Sequence, residues 1–132
     1  MYEEIDHTAD WALRLQARDM AELCQQAALA MLATCGARAG AVEGGQRVIS
    51  LEGADRESLL VRWLEEVLFT LDARHRLPTR IEVDVTADLR LTARWQEAVL
   101  ASVDKPIKAV TYAGLAVEEE DGRLQATVTF DV

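Results

Sequence analysis

Six residues near the start of the chain, Ile5-Asp6-His7-Thr8-Ala9-Asp10, gather an imidazole, a hydroxyl and two carboxylates. Hard divalent cations take oxygen ligands, and a carboxylate at the entrance of a strand is one way to supply them. The same spacing also fits a turn in which Asp10 bonds its own backbone. The last three residues, Phe130-Asp131-Val132, place another carboxylate at the far end of the sequence.

Alternation tells which way these carboxylates point. From Trp11 to Ala17 the odd positions (Trp11, Leu13, Leu15, Ala17) are apolar, so odd faces a core and Asp10 faces away. In the last stretch Leu124, Ala126, Val128, Phe130 and Val132 form the apolar face, so Asp131 also faces away. If the two strands are neighbours, both carboxylates share the outer face. Like charges there raise each other's cost of ionising unless a cation sits between them. The α-carboxylate of Val132 is a candidate third oxygen donor. A bulge would reverse the parity, and the plain alternative is two solvated aspartates on an exposed face.

The elements between are legible from periodicity. Asp19 caps a helix, with Glu22 completing a capping box. Its stripe is Met20, Leu23, Cys24, Ala27, Ala28, Met31, Leu32 and Cys35, and Gly36 ends it. Residues 36–45, rich in Gly and Ala, read as a loop. They hold no lysine, and no Ser or Thr follows their glycines, so they are not a phosphate-binding P-loop. Gln46–Glu52 reads as a strand. Asp55 caps a second helix whose stripe is Leu60, Trp63, Leu64, Val67, Leu68 and Leu71, with Leu59 and Phe69 at its margins. Arg74 and Arg76 suit its C-terminal end, Pro78 is expected to stop it, and His75 reads as an exposed histidine there. Thr79–Thr86 and Leu89–Trp95 make a hairpin around Ala87-Asp88. Glu97–Pro106 is expected to be a loop and Ile107–Glu118 extended, with Gly114 at a bulge or a close backbone approach. Asp121-Gly122 is a hairpin turn before the last strand. This order predicts an α+β two-layer sandwich, a mixed β-sheet with two amphipathic helices packed on one face, as a single domain over residues 1–132.

Half of the 132 residues are hydrophobic, enough for one sizeable core. No apolar run approaches a bilayer's thickness and no basic-then-apolar leader is seen, so a soluble cytoplasmic protein is expected, with no membrane contact. A net charge of −9 opposes a phosphate backbone, so no direct nucleic-acid binding is expected. Cys24 and Cys35 on one helix would stand about 16 Å apart along its axis, too far for a disulfide, and read as small buried hydrophobes.

The chain resembles the archease family, the small proteins that assist the RNA ligase joining 3′-phosphate and 5′-hydroxyl ends. Four blocks carry the resemblance: Asp6-His7-Thr8-Ala9-Asp10, Leu59 through Phe69, Ile107 through Tyr112, and Phe130-Asp131-Val132. They span nearly the whole chain in order. The resemblance implies a divalent cation, most often calcium, held by Asp10, Asp131 and Val132. It places Lys108 near that site as a functional base, and leaves His7 and Thr8 to order the motif or face a partner. A neutral imidazole such as His7 is a poor ligand for a hard cation. The chain departs from the family pattern at Ala113, where many members carry histidine, at Trp11, where a smaller aliphatic is usual, and at Arg94-Trp95-Gln96-Glu97, where a Gly-Glu signature is frequent.

The resemblance implies an accessory factor that promotes guanylylation and multiple turnover of the ligase in tRNA splicing or RNA repair, with the 3′-phosphate RNA ligase as its protein partner. It is not expected to be an enzyme itself: no nucleophile stands with its base, and no catalytic metal motif is present. Two other readings stay open. One is a chaperone-like binding module for RNA-modifying enzymes such as methyltransferases. The other is a stand-alone metal-dependent hydrolase using Asp10, Asp131 and His7 with a bound water as nucleophile.

Overall fold

The computed structural model describes residues 10–132, apart from the side chains of residues 43 and 44. Along the described chain the elements are β1 (Asp10–Ala17), α1 (Met20–Thr34), β2 (Arg38–Glu52), α2 (Arg56–Asp72), β3 (Arg76–Val85), β4 (Arg90–Ser102), β5 (Ala109–Thr111), β6 (Glu118–Glu120) and β7 (Arg123–Asp131).

The α+β architecture holds, with a difference in the sheet. The strands divide into two sheets, one in the order β1-β7-β5 with β6 also on β7, the other in the order β2-β4-β3. Every described pairing is antiparallel, where a mixed sheet was expected. Short turns account for the sequential pairs β3–β4 and β6–β7, while β1–β7, β2–β4 and β5–β7 join strands that are not consecutive. Both helices touch both sheets, α1 through β1 and β3 and α2 through β3, β5 and β2. One continuous apolar core joins them. At its centre the Trp63 and Trp95 rings lie 5.9 Å apart and tilted by 53°. The Trp63 indole N–H donates to the Cys24 carbonyl at 2.7 Å, which ties α2 to α1.

Helix ends follow their local chemistry. The Asp19 carboxylate accepts from the Glu22 N–H at 2.9 Å. Glu22 does not return the bond to Asp19, so the expected capping box is half formed. Its carboxylate instead accepts from the main-chain N–H of Arg18 at 2.8 Å and from the Arg18 Nε at 3.1 Å. At the other end of α1, Gly36 N–H donates to Ala33 O and Ala37 N–H to Leu32 O, with Gly36 at φ 70°. That pair of bonds is the Schellman termination. At the start of α2 the box is reciprocal but uses Ser58: Asp55 accepts from the Ser58 N–H at 2.7 Å, and the Ser58 hydroxyl accepts from the Asp55 N–H at 3.2 Å. The expected stripes of both helices are buried. Leu59 joins the core, while Phe69 stays 54% exposed.

Several expected boundaries shift. Residues 36–45 are not a loop, since β2 begins at Arg38 and pairs with β4 through three register shifts between Arg38 and Gln46. Bulges let this Gly- and Ala-rich stretch join the ladder without alternation. Pro78 does not stop α2, which ends at Asp72 before His75 turns at φ 55°. Pro78 lies in β3, an edge strand, where a missing N–H is tolerated. His75 is exposed just past the helix, as expected. Residues 97–102 continue β4, and the extended segment from Ile107 is reduced to the short strands β5 and β6 around a loop. Gly114 is neither a bulge nor a close approach. It sits at φ 65° in a turn closed by Leu115 N–H to Tyr112 O, with open space where a Cβ would stand. The Asp121-Gly122 turn forms as expected, both residues at positive φ (54° and 76°), the type I′ geometry that matches strand twist.

Candidate metal centre

β1 and β7 are neighbours, and their register sets Asp10 directly opposite Asp131. Opposed residues of a ladder share a face, so the two carboxylates stand side by side. Parity holds along both strands. Leu15 and Ala17 on β1 and Leu124, Ala126, Val128 and Phe130 on β7 are buried, while Asp10, Ala12 and Arg14 are exposed. No shift interrupts the β1–β7 register from Asp10 to Ala17, so the bulge that would have reversed the parity is absent there.

The third strand of this row is β5, whose Ala109 pairs with Asp131. The residue before it, Lys108, donates its main-chain N–H to the Asp131 carbonyl at 2.7 Å. Lys108 is exposed beside the pair, and Asp131 and Val132 are half-buried. A second lysine lies on the opposite face of β1. Lys105 Nζ lies 5.5 Å from the centre of the Trp11 ring, next in sequence to Asp10. His7 and Thr8 lie outside the described residues.

Among the described residues no three or more of His, Cys, Asp and Glu cluster tightly enough to hold an ion. The described donor set at this corner is two carboxylates and main-chain oxygens. That chemistry fits a hard cation and does not fit zinc or copper, which prefer imidazole and thiolate. The thiols are remote in character as well. Cys24 and Cys35 are buried and unpaired, and burial pushes the Cys24 thiol up to about 12 and raises Cys35.

The sequence reading missed a second polar cluster. Glu97 is 9% exposed, with Arg74 Nη2 at 2.8 Å and the Trp95 indole N–H donating to it at 3.2 Å. Burial pushes this carboxyl up, but the bonds from Arg74 and Trp95 and the charges of Arg74 and Arg47 outweigh it and hold it below the ordinary glutamate range. The signal was present: Glu97 keeps the odd parity of Leu91, Ala93 and Trp95.

A family model described as the Archease protein family matches residues 2–132. The protein archease of Methanopyrus kandleri is 34% identical over 142 residues, covering 99% of each chain. That of Methanothermobacter thermautotrophicus is 29% identical, covering 99% of this chain and 98% of its own. The solution structure of Methanobacterium thermoautotrophicum protein 1598 superposes with a TM-score of 0.70 at 30% identity, covering 97% of this chain and 96% of its own. The crystal structure of a Thermotoga maritima archease, described as a possible chaperone, superposes with a TM-score of 0.75 at 21% identity, covering 100% and 98%.

Proposed function

The chain belongs to the archease family, and from that membership we propose that it is a metal-binding accessory protein that activates a 3′-phosphate RNA ligase. The observation that carries the proposal is the direct opposition of Asp10 and Asp131 across β1 and β7. Two adjacent carboxylates repel one another and gain most from a bound divalent cation, with calcium the expected ion. Asp10, Asp131 and the oxygens of Val132 would hold it, and the ion would supply positive charge to phosphate oxygens. Lys108 is exposed on the same corner, and in this reading its ammonium meets a phosphate or a partner carboxylate. An acidic corner of this kind complements a ligase cleft, which must itself be electropositive to hold phosphates. In this reading the protein performs no reaction alone and acts in the cytoplasm on the ligase's guanylylation and turnover.

The test is joining of 3′-phosphate RNA by the cognate ligase held substoichiometric to substrate. Wild type should raise the number of turnovers per ligase, and Asp10→Ala and Asp131→Ala should not. An unchanged turnover number with wild type would sink the proposal. A second reading, a chaperone-like module for RNA-modifying enzymes such as methyltransferases, is favoured by the exposed apolar side chains Val42, Val48 and Phe69. It predicts stable binding to such an enzyme without any change in ligase turnover.

A further inference from the structure

A cleft opens at the same end of the molecule as the Asp10–Asp131 pair, between the C-terminal ends of α1 and α2 and the chain that follows β4. Leu68, Leu71, Leu100, Val103 and Ile107 line it, Cys35 forms its floor, and Asp72 and His75 stand at its rim. The connection from Val103 to Lys108 roofs this cleft and also secures the acidic corner. Lys105 donates its N–H to the Cys35 carbonyl at 3.0 Å while its Nζ lies over Trp11, and Lys108 donates to Asp131.

The lining is apolar, and its rim carries the Asp72 carboxylate beside His75. Among the described residues the Asp72 carboxylate has no hydrogen bond or ion pair. Burial raises its carboxyl above the ordinary range, against the opposing charge of His75. Asp104, on the roof, is already paired with Arg38 at 2.9 Å, which leaves Asp72 as the carboxylate open to a partner. An apolar recess with a carboxylate at its mouth recognises an apolar group that carries a cation beside it. Anchors of this kind, one side chain filling one pocket, dominate binding at protein interfaces.

We infer that this cleft is a docking site for a partner protein, seating one apolar side chain whose basic neighbour pairs with Asp72. The inference rests on the reading that the chain acts by contacting a partner protein. It adds to that reading a second contact point beside the acidic corner, on the same face end and with the same charge preference. Engagement there would fix the Val103–Lys108 connection and hence the orientation of the corner it secures.

Two measurements on the full chain keep the inference apart from the proposed function. In the first, N-acetyl-leucyl-arginine amide is titrated into isotope-labelled protein and the amide shifts of His75, Val103 and Ile107 are followed. Saturable shifts at millimolar peptide are expected with wild type, with binding at least about tenfold weaker for the leucyl-glutamate amide and for Asp72→Lys. Asp72 is exposed, so the reversal leaves folding intact. No saturable shift, or equal shifts with the glutamate peptide, overturns the inference whatever the ligase does. In the second, ligase affinity is compared for wild type and Asp72→Lys, with calcium affinity as a control. A loss of about tenfold with calcium affinity unchanged supports the inference. Equal affinities overturn the cleft's role while leaving the proposed function standing. Saturable peptide binding by a chain that never binds the ligase overturns the proposed function and leaves the cleft standing.

Discussion

Asp10 and Asp131 face each other as direct ladder partners of β1 and β7, two like charges on one row with Ala109 as the third member. Directly opposed like charges destabilise a strand pair. Without divalent cations, Asp10→Asn should therefore raise the melting temperature, with a gain of roughly 0.5 kcal/mol or less. With calcium in excess the order should reverse, because wild type gains binding energy that the variant lacks. Thermal melts with chelator and with calcium check both signs. A variant less stable than wild type in chelator would show that the pair is not repulsive.

Glu97, inside β4, bonds Arg74 and the Trp95 indole. Glu97→Gln removes the charge and leaves the Arg74 guanidinium without its partner, at a cost of about 1–2 kcal/mol given the partial exposure of Arg74. The folded carboxyl titrates below its unfolded value of 4.5. Its contribution is therefore present above that pH and is lost as pH falls through the lower, folded value. Denaturant unfolding should show the wild-type advantage near neutrality and its shrinkage below about pH 4.5.

Gly36 ends α1 at φ 70°, and a Cβ built there would collide with the Asp104 side chain. Gly36→Ala should cost about 1–2 kcal/mol from the left-handed backbone alone, and more from the contact. Adding Asp104→Ala relieves the contact but not the backbone term, while giving up the Arg38–Asp104 ion pair. Partial recovery in the double variant, read by urea unfolding, separates the two causes. Full recovery would mean that the left-handed conformation costs alanine nothing here.

Burial holds both thiols in the neutral form, Cys24 up to about 12. Since the thiolate is the reactive species, the native protein at pH 8 should resist iodoacetamide while the urea-unfolded chain takes two labels. Intact-mass spectrometry reads the difference. Rapid native labelling of Cys35 would mean that the cleft above it opens on the timescale of the reagent.

What was legible in the sequence was whatever repeated with a period. The α1 and α2 stripes, the β7 alternation and the outward aim of Asp10 and Asp131 each rest on several residues that agree. Single-residue signals fared worse. Pro78 was read as a helix stop, yet an edge strand accommodates it as well. Gly114 fits a bulge or a close backbone approach on sequence alone, yet a turn uses the same φ. The stretch 38–45 carried no alternation because its bulged pairing with β4 does not demand any. Glu97 begins a stretch to Pro106 that breaks the alternation, and so it reads as the start of a loop. Its partner Arg74 is distant in sequence, so the pair that makes burial tolerable was invisible. The division into two sheets was illegible for the same reason, since pairing between remote strands leaves no local trace.

The pairing of β1 with β7 joins positions about 120 residues apart. Any ligand that bridges Asp10 and Asp131 thereby closes almost the longest loop this polypeptide can form. In the chain-entropy view a covalent link over a loop of about 100 residues is worth close to 5 kcal/mol, taken from the unfolded ensemble. An ion at this corner would act in part as a reversible staple, so that its removal lowers the stability of the whole chain and not of this corner alone.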